Sequence, residues 1–176
     1  MTLLVIDTQK GITDDRLYLF EELRANIKTL IARARESGVE VVYVRHDDGP
    51  GTGFSVGDDE FQIYEEFAPR EGERIFDKVV NSALHPSVGL SRYLADRGEK
   101  RLMVVGLQTD FCIDATIKSG FDLGYEMIVP ERTNSTFDNP YLDQKTAWHY
   151  YNEYVWPNRY ARCVSMAEAL ELLEKG

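Results

Sequence analysis

Short apolar runs alternate along the chain with longer segments in which apolar residues recur at helical spacing. The runs have the length and composition of buried strands, and they lie at residues 2–7, 39–44, 74–80, 101–105, 125–129 and 159–164. Helical spacing predicts helices at residues 16–36, 86–97, 111–123, 140–155 and from 165 onward, while 46–58 is typical of a loop and 59–67 is ambiguous. This alternation indicates βαβ units. We therefore expect an α/β fold of three layers, α-β-α, with a mostly parallel central sheet.

Several residues mark where these helices begin and end. Asp14 and Asp15 are candidate N-caps for the first helix, which should stop near Gly38. Pro86 suits the first turn of another helix, because a proline there gives up no hydrogen bond. Ser165, with a glutamate three residues later, forms a capping box for the last helix.

Length and charge narrow the class of protein. The chain has 176 residues, a formal net charge of −10 and a pI of about 4.8. This length suits one domain over residues 1–176. An acidic chain lacks the basic face that nucleic acids and anionic membrane surfaces require, so we expect neither as a partner. A small-molecule substrate remains compatible with this charge, because a few local groups decide its binding.

The sequence also predicts a location. No apolar run approaches the roughly 20 residues of a membrane-spanning helix, and residues 1–10 lack the basic start of a signal peptide. We therefore expect a cytoplasmic protein. Cys112 and Cys163 should then be free thiols, and Cys163 is interpreted as structural because it lies in a predicted strand without a motif.

Candidate chemistry lies where strands end. Ligands of parallel α/β sheets bind beyond the carboxyl ends of the strands, which points to Asp7, Arg45 and the 106–112 segment. In that segment a strand turns into a helix at about Cys112. Free backbone N–H groups and the helix dipole would favour a thiolate and an oxyanion there. An ordinary buried cysteine fits the local pattern equally well.

A nucleophilic cysteine needs a proton acceptor. His46, His85 and His149 lie in no recognisable motif, which disfavours a papain-type pair. Asp7 ends a buried strand, where an acid is costly unless it is paired, although an acid that forms a turn is an equal alternative. Lys78 lies in an apolar run and could pair with such an acid, but an outward-facing strand lysine is more usual.

Three segments, taken in order, resemble the isochorismatase-like cysteine hydrolases. This family includes nicotinamidases, N-carbamoylsarcosine amidohydrolases and ureidoacrylate amidohydrolases. The segments resemble the family's Asp-x-Gln, its lysine with a following Ser-Ala element, and its Gly-x-x-Thr-x-x-Cys. They are Asp7–Thr8–Gln9, Lys78 with Asn81–Ser82–Ala83, and Gly106–Leu107–Gln108–Thr109–Asp110–Phe111–Cys112. Each motif alone is weak, but their order and spacing agree over nearly the whole chain.

The resemblance implies a role for each of these residues. Cys112 would attack a substrate carbonyl carbon, Asp7 would take the thiol proton and later activate water, and Lys78 would orient Asp7. The family also has a cis peptide bond in the turn before the cysteine, which falls here between Leu107 and Gln108. The backbone N–H groups of Gln108 and Cys112 would then form the oxyanion hole.

Two departures from the family's patterns concern metal and substrate. Nicotinamidases carry an Asp-x-His and a further histidine as metal ligands, whereas the matching strand end here reads Arg45–His46–Asp47–Asp48, with no further histidine until His85. We therefore expect no metal and no other cofactor, and we do not expect nicotinamide as substrate. Isochorismatases proper lack the cysteine, so Cys112 indicates an amide, carbamoyl or similar carbonyl substrate cleaved through a thioester.

Residues around these motifs are candidates for substrate binding, and Arg45, His46 and the Asp47–Phe54 loop are interpreted as specificity elements. Arg45 could clamp a substrate carboxylate or form a surface salt bridge, and the two interpretations are equally supported. His46 fits a pocket wall better than a catalytic base. Asn134 and Thr136 are weaker candidates that suit turns equally well. The full substrate-binding set comprises Gln9, Arg45, His46, Asn81, Leu107 and Thr109.

Some alternatives stay open at this point. The aromatic residues of 148–156 fit a packed core face or a subunit interface, and because members of the family commonly associate we expect a homo-oligomer, either a dimer or a tetramer. The chain could instead hydrolyse an ester, bind a small molecule or protein without catalysis, or act in redox chemistry through Cys112. The intact set of Asp7, Lys78 and Cys112 disfavours a mere binding protein.

Overall fold

Seven parallel strands form one sheet at the centre of the computed structural model, which describes residues 1–176. Their order across the sheet is β3-β2-β1-β4-β5-β7, and the short β6 pairs with the end of β4. The parallel sheet predicted from the alternating pattern is therefore confirmed. The strands are β1 (Thr2–Ile6), β2 (Glu40–His46), β3 (Arg74–Lys78), β4 (Arg101–Leu107), β5 (Glu126–Pro130), β6 (Asn134–Ser135) and β7 (Arg162–Val164).

Four α-helices connect these strands and a fifth follows β7: α1 (Phe20–Glu36), α2 (Leu90–Asp96), α3 (Asp114–Asp122), α4 (Gln144–His149) and α5 (Met166–Glu174). A π-helical turn, Thr109–Ile113, leads directly into α3, and a longer π-helical segment, Tyr150–Tyr160, follows α4. Single 3₁₀ turns occur at Lys10–Ile12, Glu65–Phe67 and Pro86–Val88. No helix combines the length and apolar character needed to cross a membrane.

The alternation of side chains along each strand builds two separate cores. In β1, Leu3 and Val5 pack against α1 and α5, whereas Leu4 and Ile6 pack on the opposite face with residues of α2 and α3. All four side chains are fully buried, and each such burial stabilises the fold by about 1.5–3 kcal/mol. The result is the expected three-layer arrangement.

The strand order reverses between β1 and β4, and this position determines where a site can form. The chain adds β2 and β3 on one side of β1, and β4, β5 and β7 on the other. At such a switch point the connections diverge and leave a crevice beyond the carboxyl ends of the two strands. Asp7 and the π-helical turn Thr109–Ile113 follow those two ends.

Several predicted boundaries were wrong for local reasons. The first helix begins at Phe20 rather than 16, because the carboxylate of Asp14 binds the backbone N–H and guanidinium of Arg16 instead of capping a helix. Pro86 opens only one 3₁₀ turn, since Gly89 then adopts a φ of +83°. The last helix is capped as predicted, by the hydroxyl of Ser165.

The aromatic residues of 148–156, for which the sequence allowed a core face or a subunit interface, differ in their exposure. Trp148 and Trp156 are buried, which confirms a core role for them. Tyr150 and Tyr154 are exposed. Association of this chain into a dimer or tetramer stays a prediction.

Candidate active site

The site begins at the end of β1. Asp7 is the first residue beyond the strand, and a φ of +51° turns its backbone out of the extended conformation. Its N–H donates to the carbonyl of Val44 in β2, which holds this turn against the sheet. The side chain is almost fully buried. Asp7 is thus both the turn residue and the buried acid that the sequence offered as alternatives.

Lys78 lies at the centre of the site. It is the last residue of β3, and its fully buried side chain reaches across the end of β2. The ammonium donates to Oδ2 of Asp7 at 2.7 Å and to Sγ of Cys112 at 3.1 Å, and it lies 3.0 Å from Nδ1 of His46. The outward-facing orientation that is more usual for a strand lysine is therefore wrong for Lys78.

Cys112 lies in the π-helical turn that begins at Thr109, two residues after the end of β4 at Leu107. Three hydrogen bonds hold this turn in place, because Thr109 donates to Asn134, and Asn134 and Asn152 each donate to the other. The peptide bond between Leu107 and Gln108 is cis. Cys112 is 8% exposed, so its sulfur reaches the surface of a cavity while most of the residue is covered.

Burial controls the acidity of the two reactive groups. Burial, together with the nearby negative charge of Asp7, raises the pKa of the Cys112 thiol to about 12 against the opposing effect of Lys78. Burial also raises the pKa of Asp7, against the opposing effect of Lys78. The resting thiol therefore keeps its proton, unlike the thiolate that the helix start alone suggested. Oδ1 of Asp7 is buried without a hydrogen-bond partner, and so it is free to accept that proton.

A cavity of about 320 Å³ opens above these groups. Among the predicted site residues, Asp7, His46, Asn81, Gln108 and Cys112 line it. Asp48 and Phe54 also line the cavity, and both belong to the loop of residues 47–54 that the sequence offered as a specificity element. Sequence reasoning missed the other two lining residues, Ile12 and Phe111. Phe111 could have been found as the neighbour of Cys112, whereas the position of Ile12 depends on how the 47–64 segment folds back.

Two predicted substrate-binding residues instead hold the strand ends together. The carboxamide of Gln9 accepts from the N–H of His46 at 2.7 Å and donates to the carbonyls of His46 and Phe61. Arg45 makes a bidentate salt bridge with Asp77 on β3, and its guanidinium stacks 4.4 Å above the ring of Phe61. Neither side chain lines the cavity, so both assignments are corrected.

Leu107 and Thr109 are also corrected. Leu107 is fully buried in the core that α1 and α5 cover. Thr109 is also fully buried, and its hydroxyl donates a hydrogen bond to Asn134. Thr136, a weaker candidate, donates to Asp110 beneath the turn. These residues support the loop that carries Cys112 without lining the cavity.

The donors around Lys78 also form a group that a metal ion could use. Oxygen of Asp7, nitrogen of His46 and sulfur of Cys112 all lie within 4.8 Å of one another. The Lys78 ammonium contacts all three, so a positive charge already occupies the position where such donors would hold a cation. These residues therefore do not fit a metal ion beside Lys78.

Comparison with known proteins agrees with this geometry. A family model described as the isochorismatase domain matches residues 1–167. The chain belongs to the isochorismatase family. It is therefore a hydrolase, as the three motifs indicated.

Individual relatives are distant but cover most of the chain. The secreted isochorismatase effector Isc1 of Verticillium dahliae is 28% identical over 148 residues, which are 80% of this chain and 75% of the relative. Ureidoacrylate amidohydrolase RutB of Enterobacter sp. is 26% identical over 167 residues, covering 73% of this chain and 72% of the relative. A crystal structure of an isochorismatase family protein, 28% identical, superposes with a TM-score of 0.85 over 93% of this chain and 97% of that one.

Proposed function

We propose that this protein hydrolyses an amide-type C–N bond of a small substrate through a thioester on Cys112. The observation that supports the proposal most is the position of the Lys78 ammonium, which contacts both Asp7 and Cys112 at the floor of a cavity. A binding protein gains nothing from a buried acid, lysine and thiol in contact. The relative named ureidoacrylate amidohydrolase supports the bond type.

The first half-reaction forms the thioester. As Sγ of Cys112 attacks the substrate carbonyl carbon, Oδ1 of Asp7 takes the thiol proton. The C–N bond then breaks, and Asp7 returns that proton to the departing nitrogen. The Lys78 ammonium, which contacts both groups, stabilises the negative charge that forms on sulfur and on Asp7 in turn. Neither a metal nor another cofactor takes part.

Two backbone groups would stabilise the tetrahedral intermediate. Gln108 and Cys112 both line the cavity, and Cys112 lies in the first turn of a helical segment, where N–H groups lack intrahelical acceptors. We assign the oxyanion hole to the N–H groups of these two residues. In the second half-reaction a water attacks the thioester carbon and Asp7 takes one of its protons. The C–S bond then breaks, Asp7 passes that proton to sulfur, and the carboxylic acid product leaves Cys112 as a thiol.

The test is to trap the acyl group. The protein would be mixed with p-nitrophenyl acetate, and both the burst of nitrophenolate and the mass of each cysteine peptide would be measured. We expect one acetyl group on the peptide that holds Cys112. A panel of primary amides, read by ammonia release, then tests the bond type.

Cys163 provides a matched control, because it is a second free thiol that burial also makes less acidic. Cys163→Ser should keep the burst and the label, while Cys112→Ser should lose both. An acetyl group found elsewhere, or ammonia release unchanged in Cys112→Ser, would contradict the thioester mechanism. Acylation by the ester with no hydrolysis of any amide would favour the ester alternative.

A further inference from the structure

Charge around the cavity indicates which substrates the site accepts. A substrate carboxylate needs a free cation, and Lys78 is the only lysine or arginine that touches the catalytic groups. An ammonium has three hydrogens to donate. Those of Lys78 face Asp7, His46 and Cys112 at 2.7, 3.0 and 3.1 Å, and the side chain has no exposed surface. Lys78 therefore has no donor left for a substrate.

Cations on the neighbouring elements are also engaged. Arg45, the predicted carboxylate clamp, has both sides of its guanidinium fork on Asp77. In the segment after β1, Lys10 pairs with Asp59 and Arg16 pairs with Asp14. Redirecting any of them to a substrate carboxylate would leave an aspartate without its partner.

An acid, by contrast, is available on the cavity wall. Asp48 lines the cavity and its side chain is 54% exposed. Its Oδ1 lies 3.1 Å from Nε2 of His46. The Lys78 ammonium can only donate, so Nδ1 of His46 accepts its hydrogen bond and Nε2 carries the hydrogen that faces Asp48. That hydrogen bond leaves the negative charge on Asp48, whereas Lys78 balances the charge of Asp7. Ile12, Phe54 and Phe111 give the cavity wall an apolar surface, and Asn81 adds an amide.

We propose that this pocket selects substrates whose end remote from the scissile bond is cationic, accepts neutral ones less well, and rejects those that carry a carboxylate there. The inference rests on the proposed function, because it concerns the same pocket, and it adds the chemical class of the substrate. Asp48 is the specificity-determining residue. The apolar wall would hold the body of the substrate, and the cavity volume limits it to a small molecule.

The test uses three chloroacetamides of matched size, whose N-alkyl chains end in an ammonium, a methyl group or a carboxylate. Each alkylates Cys112, and its rate is divided by its rate with free cysteine to remove intrinsic reactivity. We expect the normalised rates to fall from the cationic through the neutral to the anionic reagent, about tenfold in all, because Asp48 acts with opposite sign on the two charges. High salt should reduce the difference among the three normalised rates, because it screens the charge of Asp48.

Two variants separate a local charge from the charge of the whole protein. Asp48→Asn should reduce the preference for the cationic reagent about threefold. Asp96→Asn removes the same charge at the exposed end of α2 and should leave the preference unchanged. Equal normalised rates, a faster anionic reagent, or equal effects of the two variants would overturn the charge preference. The proposed function is judged separately, by acylation of Cys112 in the mass measurement and by ammonia release from the amide panel described above.

Discussion

Lys78 and Asp7 form a salt bridge of 2.7 Å whose two side chains are 0% and 2% exposed. Taking both charges out of water is costly, and their attraction repays that cost only while both partners are present. The pair is therefore poor as a source of stability but well suited to hold a carboxylate at a fixed position beside a thiol. The predictions below follow from this pair and from the residues around it.

Removing one partner should destabilise the protein far more than removing both. Lys78→Met leaves Asp7 buried without a counter-charge, and we expect the free energy of unfolding to fall by about 3–5 kcal/mol. The double variant Asp7→Asn/Lys78→Met should recover most of this loss. Urea denaturation of the three proteins measures the effect. Lys175→Met, which removes one partner of an exposed pair, should change stability by less than about 1 kcal/mol.

Asp7→Asn should move the acidity of Cys112 and the turnover in opposite directions. The negative charge of Asp7 raises the pKa of the thiol and Lys78 lowers it, so the variant should have a more acidic Cys112. Turnover should nevertheless fall, because the proton acceptor is lost. Asparagine tolerates the positive φ at this position. The acidity of Cys112 is measured from the rate of its alkylation by iodoacetamide as a function of pH, with Cys163 as the internal reference. A Cys112 that is less reactive in Asp7→Asn than in the parent protein would contradict the prediction.

The pH profile of kcat/KM should show an acid limb and no alkaline limb from the thiol. Asp7 must be ionised to accept a proton, and because burial raises its pKa the activity should fall, as pH is lowered, at a value above 3.8. The thiol, with a pKa of about 12, keeps its proton over the remaining range. The profile of Asp96→Asn should superpose on that of the parent protein. An alkaline limb with a midpoint near 8 would indicate that the thiol is ordinary.

Gln9→Leu should weaken both the fold and the pocket. The change leaves the N–H of His46 and the carbonyls of His46 and Phe61 without their partner, at a cost of about 2–4 kcal/mol. Because His46 lines the cavity, KM should rise more than kcat falls. Gln62→Leu is the control, since that side chain makes one exposed hydrogen bond. An equal loss of stability in the two variants would contradict this role of Gln9.

Gly106→Ala should prevent normal folding. The residue has a φ of +123°, and a Cβ atom there would lie 1.9 Å from the carbonyl oxygen of Ile6 on β1. The two strands that flank the site would have to separate. Gly38→Ala, also at a positive φ but with nothing within 4 Å, should cost only about 1–2 kcal/mol. Soluble expression and circular dichroism of the two variants make the comparison.

The sequence was informative where chemistry and periodicity are local. The apolar runs gave β1 and β4, and the motifs gave Asp7, Lys78 and Cys112, which the fold brings into contact. It failed where a contact spans the chain. The residues next to Arg45 do not indicate that its guanidinium pairs with Asp77, because that contact depends on the register of β2 and β3. The residues next to Gln9 do not indicate its hydrogen bond to the carbonyl of Phe61, because that contact depends on the path of a loop. β6 was missed because two residues carry no periodicity.

The central position of β1 has a consequence for synthesis. β1 leaves the ribosome first, yet its hydrogen-bonding neighbours are β2, about forty residues later, and β4, about a hundred residues later. Until β4 emerges, one edge of a strand that is apolar from Leu3 to Ile6 has no partner, and such edges promote aggregation. The nascent chain should therefore need protection by a chaperone until residue 107, the end of β4, has left the ribosome. Recovery of hydrolysis after dilution from urea would then report the pairing of β1 with β4, because Asp7 and Cys112 follow the ends of these two strands.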